Sequence, residues 1–242
     1  MRGFIKWDSR VWLHMCNEGL SKTDFGLLLF IEEYSKMGEK VCTASDEKLA
    51  QYLHVAPPYA WRRLSLMWQD EWIAVEFDRK FRNRKIKLTS KVIKELKKHS
   101  EDNYWIKLDK DLLLKTYGLL TFSEVLIYCS ILTDSDTGKK DREEDGHSTM
   151  FEEGFSFKSN GDLADLSGLS KMQVSRVLKG LKELGIIDFV YSNTNARSIK
   201  ICVDLREDGS EEWIEKAMKK KKLNTKNNAQ EKELNIDDDF IF

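Results

Sequence analysis

Between Ala44 and Leu88 the apolar positions change period twice, and each change marks an element. Leu49, Ala50 and Leu53 recur at helical spacing, which predicts a helix from Asp46 to Leu53 with those residues inward. Ser45 stands where an N-cap hydroxyl would accept an early helical N–H. His54 to Pro57 read as a turn, and Pro58 sits where a helix can begin without losing a needed donor. The next helix, Pro58 to about Gln69, would bury Ala60, Leu64 and Met67 and leave Tyr59, Trp61, Arg62 and Ser65 outward. Ile73 to Phe77 and Lys85 to Leu88 then alternate at period two, as two strands joined through DRKFRNR.

This pattern occurs twice. FIKWDSRVW at 4–12 recurs as WIKLDKDLL at 105–113, with Ile5, Lys6 and Asp8 matching Ile106, Lys107 and Asp109. LSKTDFGLLLFIEEY from Leu20 matches LTFSEVLIYCSILTD from Leu120, each with a capping box, Ser21 with Asp24 and Thr121 with Glu124. DEKLAQYLHVAPPYAWRRL matches NGDLADLSGLSKMQVSRVL at an offset of 114, which pairs Leu49 with Leu163, Val55 with Leu169, Arg62 with Arg176, Leu64 with Leu178 and Ile73 with Ile187. The second copy carries an insertion at 134–154, polar, acidic and Gly-containing, that reads as a long loop. The expected fold class is α+β, mainly α: one module over 1–99, a second over 104–206, and a helix with a flexible acidic tail over 207–242. Module one would run as a strand, a small helix (Arg10 to Cys16), a long helix (Ser21 to Lys36), a short strand at Lys40 to Thr43, the helix pair and hairpin, and a closing helix (Lys91 to Lys98). HSEDN joins it to module two, whose own second helix would run from Lys171 to Leu184 with Val174, Val177, Leu178 and Leu181 inward. Ser210 is read as the cap of EEWIEKAMKKKK, which has acids at its start and lysines at its end.

Charge adds what the apolar pattern lacks. The 242 residues sum to −1, but Tyr59–Lys98 carries 12 Lys and Arg against 5 acids, while Asp134–Glu153 carries 8 acids against 3 bases. Such segregation gives one region a positive field although the total cancels. Four cysteines at 16, 42, 129 and 202 form no C-x-x-C pair, which points to a reducing, cytoplasmic setting. No run reaches the roughly 18 apolar residues of a membrane span, and MRGFIKWDSR lacks an apolar signal core. His14, His54, His99 and His147 fall in different elements, and no Ser/His/Asp spacing, phosphate loop or metal cluster accompanies them. The acids Asp136, Asp141, Glu143, Glu144 and Asp145 read as a solvated run rather than a Mg²⁺ site. The expectation is a protein that is not an enzyme and needs no cofactor.

Helix, turn, helix and basic-tipped hairpin is the order of a winged helix-turn-helix, a DNA-reading unit. In module one, Arg79, Lys80, Arg82, Arg84 and Lys85 crowd the hairpin, where phosphates or a minor groove attract arginine. Arg62 and Arg63 could both pair with Asp70 or Glu71 on the helix surface, and Arg62 has the better claim on DNA because it faces outward and recurs as Arg176. Trp68 and Trp72 are expected to pack, with Trp61 left open. In module two, Lys171, Gln173, Ser175, Arg176 and Lys179 face out, and Arg197 is the one charge of the tip SNTNARS. Gln173 and Arg176 are able to pair with adenine and guanine edges.

Both modules resemble the bacterial winged helices of plasmid and phage replication proteins. The likeness lies in LAQYLHVAPPYAWRRLSLMWQDEWI and, more closely, in LADLSGLSKMQVSRVLKGLKELGII; the first departs from the pattern at Pro57-Pro58 and at Glu71. The tandem pair looks like plasmid replication initiators, and the resemblance implies binding of double-stranded DNA at an origin. The last residues, Asp237, Asp238, Asp239, Phe240, Ile241 and Phe242, resemble the tip of the bacterial single-stranded DNA-binding protein tail, with Ile241 in the family's Pro position and Phe240 in its Ile position. That likeness implies docking of the tip on a replication enzyme. Two other readings stay open: a transcriptional regulator with tandem winged helices, and a protein–protein adaptor. Self-association into a homodimer also stays open.

Overall fold

A computed structural model describes residues 4–35, 41–78, 83–98, 105–145, 154–191, 197–207 and 210–221. The architecture is α+β, mainly helical, with small antiparallel sheets. The N-terminal half runs β1 (Phe4–Asp8), α1 (Ser9–Asn17), α2 (Lys22–Ser35), α3 (Asp46–Leu53), α4 (Pro57–Gln69), β2 (Ile73–Asp78), β3 (Asn83–Leu88) and α5 (Ser90–Lys98). The C-terminal half runs β4 (Trp105–Asp109), α6 (Lys110–Lys115), α7 (Phe122–Asp145), β5 (Phe155–Ser156), α8 (Asn160–Ser167), α9 (Lys171–Glu183), β6 (Ile187–Tyr191) and β7 (Arg197–Ile201). A helix over 210–221, here α10, follows.

Local chemistry sets these boundaries in both halves. Asp8 and Asp109 cap α1 and α6 through one carboxylate oxygen that accepts two backbone N–H groups. Ser45, Ser159 and Ser170 cap α3, α8 and α9. The helix α3 ends at His54 in the left-handed region, and α8 ends at Gly168 in the same conformation. Helix α4 starts at Pro57, one residue before the expected Pro58, so the turn is His54 to Ala56. Both prolines still occupy its first turn, where no N–H is needed.

The two halves join symmetrically. Strands β1 and β4 pair antiparallel, with Lys6 opposite Lys107, Trp7 opposite Ile106 and Ile5 opposite Leu108. Lys6 and Lys107 are equivalent positions of the repeat, so a local two-fold axis passes between them. Around it one buried cluster runs through both halves, from Trp7, Phe25 and Leu53 to Phe122, Leu126 and Leu163. Gly26 faces Leu53 and the Phe122 ring so closely that an added Cβ would stand 2.5 Å from Leu53 Cδ2. Trp7 packs edge-on against Phe25 at 4.8 Å and Phe122 at 5.7 Å between ring centroids.

Each half also seats its turn on the other. The ring of His54 places Nδ1 2.6 Å from the Leu120 carbonyl and Nε2 2.8 Å from the Leu113 carbonyl. The equivalent residue, Gly168, lies against the Trp12 indole. Lys22 donates to Ser123 at 2.9 Å, Lys110 pairs with Glu33 at 2.8 Å, and Lys221 of α10 donates to the Leu119 carbonyl.

Four expectations are corrected. The insertion does not begin as a loop: α7 continues as helix to Asp145. The strand expected at Lys40 to Thr43 is, within the described residues, a single bridge from Cys42 to Ile86. The Ser210 hydroxyl donates to the Leu205 carbonyl, and the helix assignment already includes residue 210. Trp72 is buried as expected, but Trp68 is 47% exposed. The joining residues 99–103 lie outside the described residues. Among the described residues, no helix is long and apolar enough to cross a membrane.

Candidate nucleic-acid interface

Helix α9 is placed by three buried residues, Val174, Leu178 and Leu181, which recur at three- and four-residue spacing on its inner side. Lys171, Gln173, Ser175, Arg176 and Lys179 are all exposed, so the predicted outward set is brought together on one side of one helix. Val177 is half-buried at the edge of that side. The Gln173 carbonyl oxygen closes the capping box by accepting from Ser170 N at 2.9 Å, an engagement that uses no amide N–H. Among the described residues, Arg176 is held by a 3.4 Å contact from Nη2 to the Met172 sulfur, and Lys179 by a 3.8 Å ion pair with exposed Glu183. Neither contact would hold the cation against a phosphate or a base edge.

The equivalent helix α4 buries Ala60, Leu64 and Met67. Tyr59, Trp61 and Arg62 are exposed, and Ser65 is half-buried with its hydroxyl donating to the Trp61 carbonyl at 3.0 Å. Arg63 turns the other way. Its Nε donates to Asp24 Oδ1 at 2.8 Å and its Nη2 to Oδ2, which replaces the surface pairing with Asp70 or Glu71. Asp24 is 1% exposed, and Ser21 donates to the same carboxylate from both its N–H and its hydroxyl. This pair ties α4 to the start of α2. It gives Arg63 a structural task.

The hairpins differ from expectation in a consistent way. Arg84 makes a 2.6 Å ion pair with Asp46 at the start of α3, so its cation is committed within the fold. Lys85 stands opposite Glu76 in the β2–β3 register and is half-buried. Arg79, Lys80 and Arg82 lie outside the described residues. Arg197 is no free tip charge: it opens β7, donates to Asn160 at 2.8 Å and stacks 5.1 Å from the centre of the Phe189 ring. The tail residues Asp237, Asp238, Asp239, Phe240, Ile241 and Phe242 also lie outside the described residues.

No cluster of three or more His, Cys, Asp or Glu able to hold a metal occurs among the described residues. His14 pairs with Glu95 at 2.9 Å, while His54 serves the junction between halves. Burial pushes the Cys129 thiol up to about 12 and raises that of Cys42, so neither is a ready thiolate. An open cleft of about 480 Å³ is lined by Asp109, Asp111, Lys115, Arg206 and Glu211, but Lys115 and Glu211 are already paired within it.

Sequence reasoning missed the partners that commit Arg63, Arg84 and Arg197, because Asp24, Asp46 and Asn160 are distant in sequence or on another element. It also missed Trp68 and Phe77, exposed and 6.3 Å apart between ring centroids. The seven-residue spacing from Trp61, two helical turns, was the available signal. No family model and no curated protein matches this chain.

Proposed function

We propose that this chain is a non-enzymatic, double-stranded DNA-binding protein of two winged-helix modules, acting in replication initiation or organisation on a plasmid- or phage-type element. The observation that supports it most is the outer side of α9, where Lys171, Ser175, Arg176 and Lys179 stand exposed on the second helix of a helix pair, followed by a hairpin. That is the element order in which a helix enters a major groove. The local two-fold axis beside Lys6 and Lys107 relates the two modules, so the target would be two unlike half-sites in inverted orientation, with α9 reading bases in one and the basic hairpin of the first module holding the backbone of the other. Arg176 is the residue assigned to a base edge, and Lys171 and Lys179 are assigned to phosphates. The replication role rests on the resemblance of the two helix-turn-helix segments and of the tail tip.

Footprinting on the DNA flanking the protein's own gene tests the reading. The expected result is protection of two neighbouring half-sites, with Arg176→Ala relaxing base preference in one of them at unchanged fold. Absence of sequence-preferring duplex binding by the full chain would overturn it.

A further inference from the structure

The strip that α4 presents to solvent has a different chemistry from that of α9. At the 114-residue offset, Trp61 stands where α9 has Ser175, Trp68 where it has Lys182, and Phe77 where β6 has Tyr191. Trp61 is 57%, Trp68 47%, Phe77 66% and Tyr59 44% exposed. The seven residues from Trp61 to Trp68 place the two indoles on one side of the helix, about 10.5 Å apart along its axis. Phe77 extends the line from the hairpin, 6.3 Å from Trp68 and tilted 63° to it. Arg62 follows Trp61 and is exposed, with no ion pair among the described residues. Asp70 and Glu71 come after the helix, beyond Trp68.

We infer that this aromatic strip, Trp61, Trp68 and Phe77 with Arg62, is a binding site for unpaired DNA bases. Rings spaced along a helix suit single strands, because every base has a face to stack on and no fixed pairing edge is required. The same strip is poorly suited to reading a duplex, since Arg62 is its one long hydrogen-bonding side chain. A second copy of this chain is the less suitable occupant: residues 59–98 carry 12 bases against 5 acids, and an excess of bases remains after Arg63 and Arg84 are committed to Asp24 and Asp46, so two such segments repel each other. A polyanion gains from the same charge. The inference extends the duplex-binding reading to a second ligand, and the division follows the repeat: the cationic strip of α9 for duplex, the aromatic strip of α4 for a strand already opened.

The experiment uses the full chain, a fluorescein-labelled oligo-dT of about 20 nucleotides, and a duplex carrying the footprinted site. Anisotropy should rise with oligo-dT while tryptophan emission falls, as bases stack on the indoles. Trp61→Ala and Trp68→Ala should each weaken oligo-dT binding about fivefold to a hundredfold and leave duplex binding through α9 within about twofold. Arg176→Ala should do the reverse. The substituted residues are exposed, and matching thermal transitions would verify the fold. Unchanged oligo-dT affinity in the Trp61→Ala/Trp68→Ala double variant overturns the inference. So does sedimentation showing a wild-type dimer that the double variant loses. Failure of duplex binding with oligo-dT binding intact removes the reading of α9 alone.

Discussion

Gly168, at the end of α8, lies against the indole of Trp12 from the other half of the chain: a Cβ there would stand 1.6 Å from Trp12 Nε1. Two requirements meet at this residue. Its φ is +68°, which a side chain resists, and the space a side chain would need is taken. Gly168→Ala should therefore cost about 3 kcal/mol or more, from left-handed strain and overpacking together. Gly185→Ala, with φ +78° and nothing within 4 Å of its Cβ, should cost about 1–2 kcal/mol. Urea unfolding of the two variants measures the difference; equal losses would remove the interface from the explanation.

His54 occupies the position of Gly168 in the first half and reaches φ 54° without being glycine. The neutral ring has one N–H to donate, to the carbonyl of Leu113 or of Leu120, and that hydrogen bond offsets part of the strain. Burial holds its pKa below the ordinary imidazole value, against those two carbonyls and Glu124, which favour the charged ring, with Lys221 opposing the charge. The folded chain therefore binds this proton less readily than the unfolded chain. The stability it contributes is present above about pH 6.5 and is lost as pH falls below it. His54→Ala should cost about 1–3 kcal/mol at pH 7.5, and the gap from wild type should narrow by pH 5.5. A gap that widens on acidification would contradict this.

Lys22 carries a pH signature of the same sign in a higher window. Burial pushes its amine down to about 8, while it donates to Ser123 across the junction. Below about pH 8 the fold must hold this charge partly desolvated. Between about 8 and 10 the unfolded amine stays protonated while the folded one releases its proton, so stability should rise with pH. Lys22→Met should remove that rise, about 1–2 kcal/mol, as followed by denaturant midpoints across the window.

Asp24 depends on Arg63 in the same direct way. Arg63→Leu leaves a carboxylate at 1% exposure facing only Ser21 and should cost about 3–5 kcal/mol. Adding Asp24→Leu should recover a large part of that, because the uncompensated charge goes with it. In the second half the position of Arg63 is held by Val177, which shows that the scaffold itself accepts an apolar residue there.

The hairpin arginines should separate into two kinds. Arg84→Ala should lower stability, since its cation closes on Asp46. Arg79→Ala and Arg82→Ala should leave stability unchanged and reduce the slope of DNA affinity against salt by about one unit each. Titrations between 50 and 200 mM salt check this; an unchanged slope would remove these residues from the interface.

Most helices were legible in the sequence because each buries one side of its own: Leu49 and Leu53 in α3, and Val174, Leu178 and Leu181 in α9. The caps were legible for the same local reason. The extension of α7 was hidden by the polarity and glycine of residues 134–145, which suggest loop although the backbone stays helical. The junction was hidden because its partners, His54 with Leu113 and Gly168 with Trp12, lie far apart along the chain. The exposure of Trp68 was missed because large apolar residues are usually inside, and only its register with Trp61 argued otherwise.

Lys6 facing Lys107 carries a consequence for how the protein could diverge. In a dimer of separate chains, a residue on the symmetry axis meets its own twin, and every surface comes in identical pairs. Assembly then depends on concentration. A tether within one chain keeps the partner at an effective concentration on the order of millimolar at any dilution. It also frees one copy to change without the other, so an aromatic strip on α4 and a cationic one on α9 can coexist in every molecule.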